Sequence, residues 1–333
     1  PRPFEVNPLP SEQEIQSLNA LCGRVNAGTT VDIPTGVGFC LYLKRAMIDE
    51  VGILDHQRFG KGYAEENDYC LRASLKGWRH VAACDVFVGH HGEVSFGQEK
   101  QKLLQKHLST LESLYPDYPG TIARFAQRDP LAEARNRILI EEIKAHSGKA
   151  FLFVTHGLGG GTERAVSELA ERLESEGQAV LILRSETPYR WTLQSPEKTT
   201  PLIYRGDAGR DLLLADLKAL EIQRIHYHQT MHYPGWIWDL PEVLAVPYDV
   251  TTHDYLPICP RITFLNGQGQ FCGSLQWETD ACDRCLDQFG LPEGMAATFA
   301  SFGGDVESWR ARHQTHLRKA TEVFAPTESA AGP

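Results

Sequence analysis

The segment KAFLFVTHGLGGGTERAVSELAERLESEGQAVLILR, residues 149–184, decides the fold of the second half of the chain. An apolar run, KAFLFVTH, is followed by a glycine-rich turn, a stretch with apolar residues at helical spacing, and a second apolar run, QAVLILR. Two short apolar runs joined by an amphipathic helix are typical of a βαβ unit, whose strands lie parallel. The segment therefore predicts a parallel sheet covered by helices.

The same kind of pattern continues on both sides of this unit. Downstream, strands are predicted at PLIYR, RIHYH, YDVTTH and EVFAP. Upstream, VGFCLYL and HVAACDVFVGHH predict strands, whereas KRAMIDEVG, GYAEENDYCLRASLKG and QEKQKLLQKHLSTLESLY predict helices. An amphipathic linker helix is predicted at 129–148. We therefore divide the chain into a first domain at 1–125, a linker helix within 126–148, and a second domain at 149–333.

The composition excludes one large class of partner. Asp and Glu outnumber Lys and Arg by 43 to 33, which gives a formal net charge of −10 over 333 residues. Broad contact with a nucleic-acid backbone requires clustered basic side chains, so we expect no nucleic-acid partner. The chain has no apolar window long enough for a transmembrane helix, and its first ten residues lack the features of a signal peptide. These features predict a cytoplasmic protein.

The two ends of the sequence suggest a piece of a longer polypeptide. The chain begins without Met and stops at SAAGP, directly after the predicted strand VFAP. We expect further sequence on both sides.

Three acidic residues cluster at the start of one predicted helix, in GYAEENDYCLRASLKGW, residues 62–78. Acids are favoured there because the first helical turn exposes unpaired N–H groups. Asp68 stands four residues before Arg72 and can pair with it, whereas Glu66 has no basic residue at that spacing. Helix-start placement alone can explain Glu65 and Glu66, and a functional role for Glu66 is the alternative.

The first half resembles the second half of a family-2 glycosyltransferase domain, which has the GT-A fold. The segments that carry the resemblance are PTGVGFCLYLKR, VGILD, EENDYCLR and VFVGHHGEVSFG. The resemblance covers about residues 1–125 and implies that the acidic helix lies at the acceptor side of a sugar-transfer site. The acidic D-x-D ligands of the metal would precede residue 1.

This resemblance implies a role for several residues. Glu66 takes the position of the base that deprotonates the acceptor hydroxyl, although the commonest family residue there is Asp. His90, which matches better than His91, takes the position of a ligand for the Mn²⁺ or Mg²⁺ ion that bridges the donor diphosphate. The remaining residues implied in donor or acceptor binding are Thr35, Gly36, Glu65 and Asp68.

The glycine-rich turn GLGGGTER follows a predicted strand and opens a helix, where backbone N–H groups can receive phosphate oxygens. It departs from the dinucleotide fingerprint, because Thr162 occupies the last glycine position and Arg184, not an acid, ends the second strand. A nicotinamide cofactor is therefore disfavoured. An ordinary tight turn without a ligand is the other interpretation of this segment.

The second half resembles the N-terminal domain of a family-4 glycosyltransferase, which has the GT-B fold. The resemblance rests on THGLGGGTERAVSELAERL, IHYHQ and TTHDYLPICPR and runs from about Lys149 to the end. It implies that Gly159, Gly160 and Gly161 approach the donor diphosphate and that His253 lies near the transferred sugar. Asp254 would either contact the ligand or fix the loop. The nucleotide-binding domain, with its E-x7-E motif, would follow residue 333.

Eight cysteines occur in the chain, and the last four crowd into 27 residues. These four are Cys259, Cys272, Cys282 and Cys285. A C-x-x-C pair together with two further thiols can close the tetrahedral coordination of a structural Zn²⁺ ion. Unpaired buried thiols are the alternative, and disulfides are less favoured in a chain without an export signal.

These observations predict a fragment of a bifunctional glycosyltransferase of the cell-surface polysaccharide or O-antigen type. Its partners would be a nucleotide-sugar donor and a glycan or lipid-linked glycan acceptor, with peripheral contact at the inner face of the membrane. We expect the fragment alone to be inactive and to bind sugar nucleotides weakly. The alternatives are a zinc-stabilised binding module without transferase activity and an NADP-dependent oxidoreductase, the latter suggested by the βαβ unit and Arg184.

Overall fold

Two compact units, residues 1–138 and 139–333, make up the chain in a computed structural model. The structure describes residues 9–60, 63–90, 100–146, 148–196, 201–266, 268–272 and 278–325. The division falls inside the predicted linker helix, and each unit is described by itself.

The first unit is mainly helical with a small antiparallel sheet. Its elements are α1 (Glu12–Val25), β1 (Thr30–Asp32), α2 (Arg45–Val51), α3 (His56–Phe59), α4 (Glu65–Ser74), β2 (Val81–Ala83), α5 (Lys100–Leu114) and α6 (Tyr118–Arg128), and α7 (Ala132–His146) crosses into the second unit. Strands β1 and β2 pair with Thr30 opposite Ala83. Helix α4 packs on α2 through Tyr69 and Met47, which are both buried. The helix predicted at 129–148 is confirmed as α7, and its role as a linker stays a prediction.

Of the two strand predictions in this unit, one is wrong and the other is confirmed in part. Residues 37–43, predicted as a strand, contain none: Gly38 N–H donates to Glu66 Oε1 of α4, and Cys40 N–H donates to the Val37 carbonyl in a turn. In the described part of HVAACDVFVGHH, only Val81–Ala83 is a strand. The last residue of that segment, His91, lies outside the described residues.

The second unit is an α/β domain with a seven-stranded, mostly parallel sheet of the Rossmann-like kind. The strands stand in the order β6-β5-β4-β3-β7-β8-β9, and β5 and β6 are antiparallel to their neighbours. The elements are β3 (Ala150–His156), α8 (Gly161–Ser175), β4 (Ala179–Thr187), β5 (Arg190–Gln194), β6 (Leu202–Arg205), α9 (Gly206–Ala219), β7 (Ile222–Tyr227), α10 (Leu240–Leu244), β8 (Tyr248–Thr251), α11 (Thr279–Phe289), α12 (Ala296–Ser301), α13 (Val306–Lys319) and β9 (Glu322–Phe324).

The predicted βαβ unit is confirmed as β3, α8 and β4, with Leu152 of β3 opposite Leu181 of β4. The four downstream strand predictions are confirmed as β6, β7, β8 and β9. Strand β5 was not predicted. Strand β3 is central and its side chains are buried on both faces, with Leu152, Phe153 and Val154 fully inaccessible, as expected for a parallel strand between two layers of helices.

The register of the parallel strands brings three strand ends to one edge of the sheet. Val154 of β3 pairs with Tyr227 of β7, and Tyr227 pairs with Val250 of β8. The residues that follow these positions therefore emerge side by side at the carboxyl edge. Ligands of open parallel sheets bind at this edge. Across the residues that the structure describes, no helix has the length and apolar character needed to cross a membrane.

Candidate functional site

The carboxyl edge of the large sheet gathers three histidines from neighbouring strands. His156 ends β3, His228 follows β7, and His253 follows β8. The backbone N–H groups of His228 and Gln229 both donate to the Val154 carbonyl, at 2.9 and 3.2 Å, which fixes the end of β7 against β3. The sequence analysis singled out His253 alone, although the alternation in IHYHQ already placed His226 and His228 on one face of a strand.

His226, His228 and His253 form what we call the histidine stack. The rings of His226 and His228 are stacked with centroids 4.2 Å apart, and those of His228 and His253 are stacked at 5.4 Å. His228 Nδ1 and His253 Nε2 lie 3.1 Å apart, and His226 Nε2 lies 2.8 Å from Thr251 Oγ1. In each of these two pairs one group must donate the hydrogen and the other accept it.

Burial keeps the stack neutral. It lowers the pKa of His226 to about 4, and it lowers the pKa of His228 well below the ordinary histidine value. The pKa of His253 is lowered by burial and by the nearby His156. His228 Nε2 is buried, and none of the described residues offers it a hydrogen bond. A buried neutral nitrogen in this state can still bond a ligand or an ordered water.

Both carboxylate oxygens of Asp254 accept hydrogen bonds from neighbouring protein groups. Leu256 N–H donates to Oδ1 at 2.8 Å, and Gln229 Nε2 donates to Oδ2. Burial raises the pKa of Asp254, and these two donors offset part of that effect. Gln229 also accepts from the N–H groups of Thr230 and Met231 through Oε1. Asp254 and Gln229 together tie the loop after β8 to the loop after β7.

The glycine loop at 157–161 connects β3 to α8 at the same edge. Gly157 N–H donates to the Ser185 carbonyl at 2.9 Å, which holds the start of the loop to β4. Gly159 has φ 75°, and Gly160 has φ 84° with ψ −157°, a combination essentially reserved for glycine. Gly160 is the N-cap of α8 and provides no side-chain cap. The first N–H groups of α8 can therefore point to an anion.

Gly161 differs from its two neighbours. Its φ lies outside the positive range, and a Cβ built on it would meet no atom within 4 Å. Neither backbone conformation nor protein packing therefore requires glycine here. Close approach of a ligand to the backbone would require it.

Arg184, the basic residue that ends the second strand of the βαβ unit, is already paired. Its guanidinium donates to Glu163 of α8 at 2.6 Å, and both side chains are largely buried. The pair joins β4 to the first turn of α8.

In the first unit, the start of α4 lies against the loop 35–39. Glu66 Oε1 accepts from Gly38 N–H at 3.4 Å, while its Oε2 is buried and unbonded among the described residues. Oε2 of Glu65 is likewise buried and has no hydrogen-bond partner among the described residues. The pKa of Glu65 is raised by burial and by the charge of Glu66.

His90 meets the same loop from the other side. Its ring stacks on Phe39 with centroids 4.7 Å apart. Because Phe39 follows Gly38, this loop contacts both Glu66 and His90 through adjacent residues. The structure thus brings together the predicted base and the predicted metal ligand around one loop.

Thr35 and Gly36 have clear structural roles in this loop. Asn67 Nδ2 donates to Thr35 Oγ1 at 3.0 Å and to Tyr118 Oη at 2.6 Å, and the two hydroxyls lie 3.0 Å apart. A Cβ at Gly36 would lie 2.4 Å from Leu41 Cδ1, so a larger residue there would displace the Leu41 side chain. The sequence analysis missed Asn67, which lies between the two acids of the motif.

Asp68 is a buried structural residue, with 1% of its surface exposed. Arg72 Nε donates to its Oδ2 at 2.8 Å, and Tyr115 Oη donates to its Oδ1 at 2.9 Å. The predicted Asp68–Arg72 pair is confirmed. A direct role for Asp68 in ligand binding stays a prediction.

No disulfide joins any of the eight cysteines, all of which lie within the described residues. Cys282 and Cys285 lie on α11, while Cys259 and Cys272 lie in the long loop after β8. Within the described ranges, no three His, Cys, Asp or Glu side chains form a ready-made metal-binding group.

Comparison of the chain with family models, with curated proteins and with solved structures finds no match in any of the three. The functional argument therefore rests on the geometry of the two sites.

Proposed function

We propose that the chain carries two glycosyl-transfer modules, one in each unit, that move sugars from nucleotide-sugar donors to a glycan acceptor. The observation that carries the proposal is the convergence of the glycine loop, His228 and His253 at the carboxyl edge of one parallel sheet. Parallel sheets bind phosphate-bearing ligands at this edge, beside a helix N-terminus.

In the second module, the α8 N-terminus receives the donor diphosphate and His253 lies near the transferred sugar. Gly161 is consistent with this assignment, since neither its backbone conformation nor protein packing calls for glycine, and the open side of the backbone can receive a ligand. A neutral His253 held by His228 can donate or accept one hydrogen bond at a sugar hydroxyl.

In the first module, Glu66 is the base that takes the proton of the acceptor hydroxyl. A general base needs a free oxygen within reach of that proton, and Glu66 Oε2 is the unbonded one. The acceptor oxygen then forms a bond to the sugar while the bond between the sugar and the diphosphate breaks. A bound Mn²⁺ or Mg²⁺ ion would stabilise the departing diphosphate, and His90 beside Phe39 is this chain's candidate ligand.

The NADP-dependent alternative depends on Arg184 as a phosphate ligand. Because that guanidinium already donates to Glu163 at 2.6 Å, no observation favours an NADP-dependent oxidoreductase over a sugar transferase.

The glycine loop provides a direct test. We expect ligand-observed NMR to detect weak binding of nucleoside diphosphates and their sugar conjugates at millimolar concentration. Gly161→Ala should abolish the saturation-transfer signal by which this NMR experiment detects binding, because the added methyl group occupies the space of the phosphate. Gly148→Ala is a matched control, since Gly148 also has an open Cβ position and a φ outside the positive range. Equal binding by both variants would overturn the assignment.

A further inference from the structure

Four cysteines from three segments approach one another beside the candidate site of the second unit. Cys259 lies in the turn after β8, Cys272 lies thirteen residues later, and Cys282 and Cys285 stand three apart on α11. Residues three apart on a helix project from the same face, so the last two thiols point in similar directions.

Arg310 of α13 brings two of these segments together. Its Nε donates to the Ile258 carbonyl at 2.9 Å, and its Nη2 lies 3.1 Å from Cys282 Sγ. One guanidinium therefore joins the backbone next to Cys259 to the sulfur of Cys282.

Backbone bonds bring Cys272 to the same place. Cys272 N–H donates to the Phe264 carbonyl at 2.8 Å, and Leu265 and Phe271 form an isolated antiparallel bridge. The loop thus doubles back, so that Cys272 lies beside the turn that holds Cys259.

The sulfur atoms influence one another electrostatically. The pKa of Cys272 is raised by burial and then by the charges of Cys259, Cys285 and Cys282. Burial also raises the pKa of Cys259, while the backbone N–H groups of Arg261, Phe264 and Ile262 counteract that effect. Phe264 therefore contacts both cysteines, because its N–H group faces Cys259 and its carbonyl accepts from Cys272 N–H.

We propose that Cys259, Cys272, Cys282 and Cys285 bind one structural Zn²⁺ ion. Four thiolates fill the tetrahedral shell of Zn²⁺ and leave no open position for catalysis. Each thiol loses its proton on binding, so four protons are released per ion. The described residues contain no ready-made metal-binding group, so binding of the ion requires the four sulfur atoms to come closer together.

The ion holds the loop that starts at His253 and Asp254. Tyr255 packs on Phe264 at 4.3 Å between ring centroids, so the loop is anchored to its own aromatic residues as well as to α11. This site is independent of the proposed sugar transfer, because a structural ion would order the loop whatever ligand the site binds.

The test is metal analysis of protein purified under reducing conditions without added zinc. We expect about one equivalent of zinc, bound by the four thiolates.

The double variant Cys282→Ser with Cys285→Ser should lose the zinc and melt at a lower temperature. The double variant Cys40→Ser with Cys84→Ser is the matched control, because neither thiol is buried and both lie in the first unit; it should keep the zinc.

A second measurement decides the matter if the cysteine variant does not fold. Wild-type protein stripped with a chelator and loaded with Co²⁺ should show an intense thiolate-to-cobalt charge-transfer band and regain its melting temperature. A folded protein that carries no metal and takes up neither Zn²⁺ nor Co²⁺ would overturn the proposal. Disulfides among these cysteines in the purified protein would overturn it as well.

Discussion

His228 Nδ1 lies 3.1 Å from His253 Nε2, and this contact joins the ends of two neighbouring parallel strands, β7 and β8. His228 is buried by its surroundings and stacks on His226 at 4.2 Å, so its ring cannot turn freely. It therefore fixes the tautomer and orientation of His253, as the second group of a hydrogen-bonded pair does in many sites. We regard His228 as a positioning residue.

We predict that His253 no longer has a fixed tautomer and orientation in His228→Phe. The phenyl ring keeps the stacking and removes the hydrogen bond, so His253 should change from one tautomer to a mixture. Nitrogen chemical shifts of His253 measured by NMR at pH 7.5 report this change directly. Thr251→Val is the control, because it removes the partner of His226 and leaves the pair of His228 and His253 intact. An unchanged tautomer in His228→Phe would contradict the positioning role.

We predict that Glu66→Gln removes one transfer activity and preserves the other in an enzyme preparation that shows both. The amide keeps the shape of the side chain and can still accept from Gly38 N–H, but it cannot take the acceptor proton. The loss should be about a hundredfold or more. Asp32→Asn, at an exposed pair with Arg79, should leave both activities unchanged. Near-normal activity of the first module in Glu66→Gln would rule out the assignment of the base.

Asp68 gives a prediction about stability rather than activity. Asp68→Ala removes a buried carboxylate and leaves Arg72 and Tyr115 without their shared partner. We expect the free energy of unfolding of the first unit to fall by about 3 kcal/mol, as measured by urea denaturation. Asp49→Ala is the matched control, because Asp49 and Arg45 have the same spacing on a helix but are mostly exposed and 3.8 Å apart. Its effect should be below about 0.5 kcal/mol. Similar losses in the two variants would show that burial of Asp68 contributes nothing.

Most strands of the second unit could be predicted because the apolar pattern of each local segment matches the burial of that segment in the folded domain. The runs in β3 and β4 are apolar on both faces, and the sheet buries both faces. Strand β5 was missed because RWTLQ has polar residues at both ends and gains its burial only by pairing with β4 and β6. VGFCLYL was predicted wrongly because its residues form a turn, in which Cys40 N–H donates to the Val37 carbonyl, and because Gly38 N–H donates to Glu66 of α4, 28 residues away. Such long-range partners are not visible in a local pattern.

The candidate sites show the same division. Glu66 and His253 could be named from short motifs, but the partner of each depends on tertiary structure. His228 and Asn67 are ordinary polar residues in sequence, and only the register of β7 against β8 and the packing of the loop 35–39 reveal their contacts. The spacing of the last four cysteines indicated a cluster. Arg310, which contacts the Ile258 carbonyl and Cys282 Sγ, lies on α13, 25 residues after Cys285, so the sequence did not reveal its part in the cluster.

The last prediction concerns pH and the buried histidines of the second unit. Burial lowers the pKa of His226 and of His313 to about 4 in the folded protein, whereas an unfolded chain has a histidine pKa near 6.5. Between these values the unfolded state binds more protons, so the free energy of unfolding is highest above pH 6.5 and falls as the pH drops towards 4. Each such histidine contributes a slope of about 1.4 kcal/mol per pH unit within this window.

Urea denaturation of the second unit at several pH values between 7.5 and 4.5 measures this slope. His313→Gln removes one of the titrating groups, so it should flatten the slope by about 1.4 kcal/mol per pH unit even though it lowers stability at every pH. His56→Gln replaces an exposed histidine of the first unit and should leave the slope unchanged. If the slope of His313→Gln equals that of the wild type, the pKa of His313 is the same in the folded and unfolded protein, and burial does not lower it.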